Sequence, residues 1–175
     1  PVLSLADAPN ARGGTWGEDG TIVYAPEYTG PIVAVSASGG TPRKVTELDR
    51  SRSEDPHRYP HFLPAGRHFL FLARASGAGA GRDPAIVVAS LDSPERKIVV
   101  HNASNIAYAS GHLLYVRQNI LMAQPFDVDR LETSGEPVTV AQDVRLDERF
   151  SLGVFSSSQN GGLAVRRQPH QATVL

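Results

Sequence analysis

Ala65-Gly66-Arg67-His68-Phe69-Leu70-Phe71-Leu72 is a tight turn followed by an unbroken apolar run, and it does not stand alone. Asp19-Gly20 leads into Thr21-Ile22-Val23-Tyr24-Ala25 in the same way. Ser110-Gly111 precedes His112-Leu113-Leu114-Tyr115-Val116, and Asn160-Gly161 precedes Gly162-Leu163-Ala164-Val165. The turn glycines are 46, 45 and 50 residues apart. Repeats of roughly 40–50 residues are the signature of four-stranded propeller blades.

The rest of each unit lines up with the turn. A third strand is expected over 32–35, 85–91, 120–126 and 172–175, and a fourth ending near Val45, Val100 and Ala141. Ser38-Gly39-Gly40-Thr41-Pro42 and Asp92-Ser93-Pro94 supply hairpin chemistry between them. Pro31, Pro84, Pro42 and Pro137 fall near strand starts, where a missing ladder donor costs little. The expected fold is therefore all-β: a β-propeller of four-stranded antiparallel blades, about four blades' worth, as a partial or permuted propeller. A generic antiparallel sandwich with coincidental spacing is the rival. No segment sustains a 3.6-residue apolar period over three turns, which excludes a helical solenoid.

The units divide as 1–10 (last strand of a preceding blade), 11–50, 51–101, 102–148 and 149–175 (an incomplete blade). Val2–Ala6 reads as the leftover strand, and sixteen strands would close as four sheets if it completed the last one. An open arc would instead leave edges seeking partners, so a homodimer through open blade edges is expected. Residue 1 is Pro, which suggests a piece of a longer protein.

Composition removes several functions. Lys plus Arg number 17 against 18 Asp plus Glu, with neither the basic excess nor the stripe that phosphate binding demands, so nucleic acid is not expected. The absence of cysteine excludes disulfides and thiolate metal sites. No apolar run approaches a membrane span, so no membrane insertion by this segment is expected.

Gly13-Gly14-Thr15-Trp16-Gly17-Glu18-Asp19-Gly20-Thr21-Ile22-Val23-Tyr24 resembles the aromatic-x-x-Asp-Gly blade motif of TolB-like, WD-related propellers. Residues 57–71, from His57-Arg58-Tyr59-Pro60-His61-Phe62 to Phe71, resemble a second such blade, with Ala65 where Asp is usual. Gln124-Pro125-Phe126-Asp127-Val128-Asp129-Arg130-Leu131 with Gly135-Glu136-Pro137-Val138 is similar to a later blade of one subgroup. That subgroup is the propeller region carboxy-terminal to bacterial serine/threonine kinase domains. The resemblance implies a non-catalytic sensor or protein-binding domain, often extracytoplasmic or periplasmic, with more blades in the parent.

The search for chemistry narrows to four residues. No Gly-x-Ser-x-Gly elbow occurs, so no serine has a mechanical reason to be nucleophilic. Gly77-Ala78-Gly79-Ala80-Gly81-Arg82 lacks the final glycine and the helix of a dinucleotide loop, and reads as a connector. Asp127-Val128-Asp129 with Glu132 lacks the third ligand and glycine of a calcium loop, and reads as a polar hairpin turn. On a regular strand His57 and His61 share one face near Asp55, but no third metal ligand lies nearby in sequence.

Arg12 and Arg58 each stand eight residues ahead of their turn glycine, so equivalent positions would bring both guanidiniums to the central channel. There they either pair with Asp7, Asp49 or Asp55, or receive a carboxylate or phosphate in a bidentate fork. Trp16 and Phe62 also occupy matching places and are expected to wedge adjacent sheets together. The expected site is thus a channel mouth of Arg12, Arg58, His57 and His61, with no catalytic residue, no metal and no cofactor. The expected function is a binding module for a protein or small-molecule ligand. The alternatives are a hydrolase or lyase centre at the axis built on the same four residues, and a non-catalytic cap over a peptidase.

Overall fold

Ser110 and Gly111 both adopt positive φ and form a two-residue hairpin between Ala109 and His112, whose twist suits antiparallel strands; Ala65 and Gly66 also adopt positive φ, within a longer turn that the Leu63 N–H closes on the His68 carbonyl. Gly20 and Gly161 take the same left-handed conformation in their turns. In the first of these, the Asp19 carboxylate accepts hydrogen bonds from the Thr21 N–H and hydroxyl at 2.8 and 2.9 Å. Local turn chemistry thus sets four hairpins along the chain.

The architecture comes from a computed structural model, which describes residues 4–75, 83–158 and 161–169. Strands β1 (Gly14–Trp16), β2 (Thr21–Tyr24), β3 (Val33–Ser36) and β4 (Arg43–Lys44) pair in chain order as one antiparallel sheet. The second sheet is β5 (Glu54–Phe62), β6 (His68–Ala75), β7 (Ala85–Ser90) and β8 (Arg96–His101), again in chain order. In the third, β9 (Ile106–Ala109), β10 (His112–Arg117) and β11 (Ile120–Asp127) are followed by a divided outer strand. Both β12 (Glu132–Thr133) and β13 (Val138–Ala141) pair with β11. A short hairpin of β14 (Leu146–Asp147) and β15 (Leu152–Gly153) then leads to β16 (Phe155–Ser157) and β17 (Leu163–Val165), which form the last sheet.

Side-chain alternation explains how the sheets stack. On β6, Phe69 and Phe71 pack with Val23, Ala25, Ile32 and Ala34 of the first sheet. Leu70 and Leu72, one residue out of phase, pack with Ile106, Leu113, Tyr115 and Phe126 of the third. The third sheet repeats the device. Leu113 and Tyr115 face the second sheet, while Leu114 and Val116 face Val144, Leu146, Phe155 and Val165. Each large side chain so buried contributes about 1.5–3 kcal/mol. A two-sheet sandwich buries one face of each sheet; here the second and third sheets bury both, against different neighbours. The sandwich reading fails on that point.

The innermost strands are the first of each sheet, with β1 beside β5, β5 beside β9 and β9 beside β16. The expected closure by Val2–Ala6 is not observed where it can be judged. Ser4–Ala6 form no strand, and Val2, Leu3 and the expected last strand at 172–175 lie outside the described residues. The physical reason is local. The N–H groups of Asn10 and Arg12 bond to Pro26 and Ala25, which ties this approach to the first sheet. Ser4–Asp7 accordingly faces Tyr24, Pro26 and Val33 across a shallow cleft. The glycine-rich stretch 77–82 also falls outside the described residues.

Candidate functional site

β5 is an irregular strand, and its irregularity places the site. Pro56 and Pro60 interrupt its donors, its register with β6 shifts between Glu54 and His57 and again between Arg58 and His61, and Tyr59 has φ +52°. Such bulges re-aim side chains. Tyr59 is held there from the neighbouring blade. Its N–H donates to the Arg12 carbonyl at 2.8 Å, and its hydroxyl to the Phe150 carbonyl at 3.1 Å.

The bulge brings four arginines around Phe150, which lies in the loop joining β14 to β15. Arg58 is only 5% exposed, and donates from Nη1 to the Phe150 carbonyl at 3.4 Å and from Nη2 to the Tyr28 carbonyl at 3.0 Å. The Arg12 guanidinium stacks 5.2 Å from the Phe150 ring centre, and that of Arg149 at 5.3 Å. Arg74 reaches the Arg149 carbonyl at 2.9 Å. Arg12 therefore joins the first sheet to the loop that precedes the last one.

These cations are not neutralised. Among the described residues none of Arg12, Arg58, Arg74 and Arg149 forms an ion pair with a carboxylate. Of the acids expected to pair with them, Asp49 is committed to Arg96 at 3.4 Å. The Nε atoms of Arg12 and Arg58 are buried without a hydrogen-bond partner. Burial, with the charges of Arg74 and Arg12 beside it, lowers the Arg58 pKa from its ordinary value. The cluster thus holds guanidinium donors with no hydrogen-bond partner among the described residues.

The two histidines do not join it. His57 is fully buried against Phe71, with ring centres 4.5 Å apart. Its Nδ1 meets Thr46 Oγ1 at 2.8 Å, and its Nε2 meets Glu54 Oε2 at 3.1 Å. Thr46 Oγ1 already accepts the Ile32 N–H, so its proton serves Nδ1, and Nε2 carries the proton given to Glu54. Burial opposes ionisation of Glu54, yet His57, the Asp49 N–H and Arg96 together hold its pKa down to about 2. His57 is kept neutral chiefly by burial, which lowers its pKa. The chain has the order of a hydroxyl–imidazole–carboxylate triad but is sealed inside the joint between the first two sheets.

His61 lies at the opposite end of the inner strands. It lines a cavity of 390 Å³ with Trp16, Phe62 and Tyr108, bordered by Thr15, Glu18 and Ser157. Trp16 was expected to wedge two sheets together but is 66% exposed at this mouth; Phe62 alone packs inward, edge-on to Phe69. The bulge at Tyr59 breaks the alternation that would have put both imidazoles on one face. Asp127, read in the sequence as part of a polar hairpin turn, accepts the N–H groups of Asp129 and Arg130 at 3.0 and 2.9 Å, closing that turn. Among the described residues no three His, Cys, Asp or Glu side chains gather as a metal site.

Phe150, Arg149, Arg74 and Tyr59 went unseen in the sequence. Arg149 and Phe150 come from a loop outside the repeat, so no periodic position announces them. The Tyr59-Pro60 step inside an apparent strand was the available hint of a bulge.

Solved structures supply the comparison for this geometry. The β-propeller domain of the Trilobed protease from Pyrococcus furiosus, described as having an open velcro topology, matches with a TM-score of 0.54 at 17% identity. The match covers 75% of this chain and 43% of that one, so the chain spans less than half of that domain's length. A luciferin-regenerating enzyme matches with a TM-score of 0.51 at 13% identity, over 92% of this chain and 70% of that one. No family model matches the sequence, and no curated protein does. The likeness is one of fold. Radially stacked antiparallel sheets around shared inner strands make this chain a β-propeller.

Proposed function

We propose that this chain is a non-catalytic recognition module whose Arg12–Arg58 mouth binds a carboxylate- or phosphate-bearing ligand. The observation that carries the reading is Arg58, buried and charged beside Arg12 and Arg74, with backbone carbonyls as its acceptors and, among the described residues, no acid paired to any of the three. Guanidinium forks recognise planar oxyanions bidentately, and a partly desolvated site strengthens each bond. The TolB-like blade motif around Trp16-Gly17-Glu18-Asp19-Gly20 supports placing the module in a larger sensor- or scaffold-type protein.

The Thr46–His57–Glu54 chain is what an enzyme reading would rest on. Its imidazole is fully buried and its hydroxyl accepts a backbone N–H, which supports a structural role instead. Association is part of the proposal. The outer strands β4 and β8 are guarded by Arg43, Lys44, Arg96 and Lys97, whereas β13 exposes Val138 and Val140 on an outer edge. That edge is where a second copy would pair.

The test is isothermal titration of the chain with citrate and with inorganic phosphate at low and high salt. Saturable binding is expected, weakened about tenfold or more by Arg12→Gln and reduced by salt. Absence of binding, or equal affinity in Arg12→Gln, contradicts the reading.

A further inference from the structure

The cavity at the far end of the inner strands has the opposite chemistry from the arginine mouth. Trp16 from the first sheet, Phe62 from the second and Tyr108 from the third present aromatic side chains to one space of 390 Å³. That volume lies within the range of small-ligand sites. Among the described residues its lining holds no lysine or arginine, and its one carboxylate is the exposed Glu18. Burial lowers the pKa of His61, so this imidazole adds no positive charge at neutral pH.

Two of the aromatic walls are fixed from behind. Phe62 lies edge-on to Phe69, with ring centres 6.4 Å apart, and Tyr108 edge-on to Phe126 at 6.3 Å. Gly17 leaves room for the first of them, since a Cβ there would stand 3.2 Å from the Phe62 ring. Trp16 is the chain's only tryptophan and is left two-thirds exposed, forgoing the burial that such a ring ordinarily provides. Aromatic side chains with a single carboxylate and no competing cation suit one class of ligand, an organic cation held over π-systems.

We infer that this second mouth is a binding site for an alkylammonium group, enclosed by Trp16, Phe62 and Tyr108 and neutralised by Glu18. It is separate from the anion site, with which it shares no residue.

Because Trp16 is the sole tryptophan, its fluorescence reports this cavity directly. The full chain is titrated with tetramethylammonium chloride, with sodium chloride at matched ionic strength and with tert-butanol as the neutral isostere. A saturable change with tetramethylammonium alone is expected. Its midpoint rises about two- to fivefold in Glu18→Gln and in Tyr108→Leu, and is unchanged in Arg12→Gln. An equal response to tert-butanol or sodium chloride, a response that never saturates, or midpoints unmoved in both Glu18→Gln and Tyr108→Leu would overturn the assignment.

Discussion

Gly13 shows how much rests on single backbone positions. Its φ is +90°, and a Cβ there would stand 3.0 Å from the Tyr59 Cα, the residue whose own left-handed conformation aims Arg58 at Phe150. Any side chain at 13 meets strain and backbone contact together. Gly13→Ala is expected to cost about 1–3 kcal/mol, read as a lower urea midpoint at unchanged slope. An unchanged midpoint would mean that β1 and β5 do not approach as described. The turn residues at 20, 66 and 111 were legible from sequence because their conformation is settled by neighbours within the same hairpin. The direction of His57 was not, since two bulges in β5 decide it, and those arise from contacts with another blade.

At the level of elements, the joint between the first two sheets is a buried polar chain that titrates. The folded-state pKa of Glu54, about 2, lies below its ordinary 4.5, so its contribution is present above pH 4.5 and is lost as pH falls toward 2. That displacement is worth about 3 kcal/mol at most. His57 acts in the same sense over a higher window. Its lowered pKa means the unfolded chain binds the proton first, so stability declines as pH drops below 6.5. Chemical denaturation across pH 7 to 2 should therefore show stability falling in two stages. In Glu54→Gln the lower stage shrinks, the carboxylates of Asp19 and Asp49 still contributing to it, while the histidine stage remains. A wild-type profile flat from pH 7 to 3 would contradict the network. The strands themselves were legible because β6, β7, β10 and β11 carry long apolar runs. The segment at Ser4–Ala6 was expected to be part of a strand, yet the chain that follows it is tied to the first sheet by backbone bonds at Asn10 and Arg12 that no local pattern encodes.

For the whole molecule, stacking both faces of a sheet against successive neighbours creates a common centre, and that centre carries the function proposed here. It also leaves outer edges. Multi-angle light scattering should find a homodimer that Val140→Lys converts toward monomer, and a monomer at every concentration would remove the β13 edge from the account. The recurring four-stranded sheets were legible because blades echo one another in sequence, whereas the strand expected over Val2–Ala6 is absent at Ser4–Ala6. Arg149 and the Phe150 it stacks on were not legible, because both belong to a connecting loop. The decisive measurement follows the arginine Nε–H resonances by NMR while citrate is added. Arg12 and Arg58 should shift together and saturate at one midpoint, while Arg67 and Arg96, already paired with Asp92 and Asp49, stay still. Signals of Arg12 and Arg58 that do not move, or that drift in step with Arg67, would contradict the claim that these blades share an anion-binding mouth.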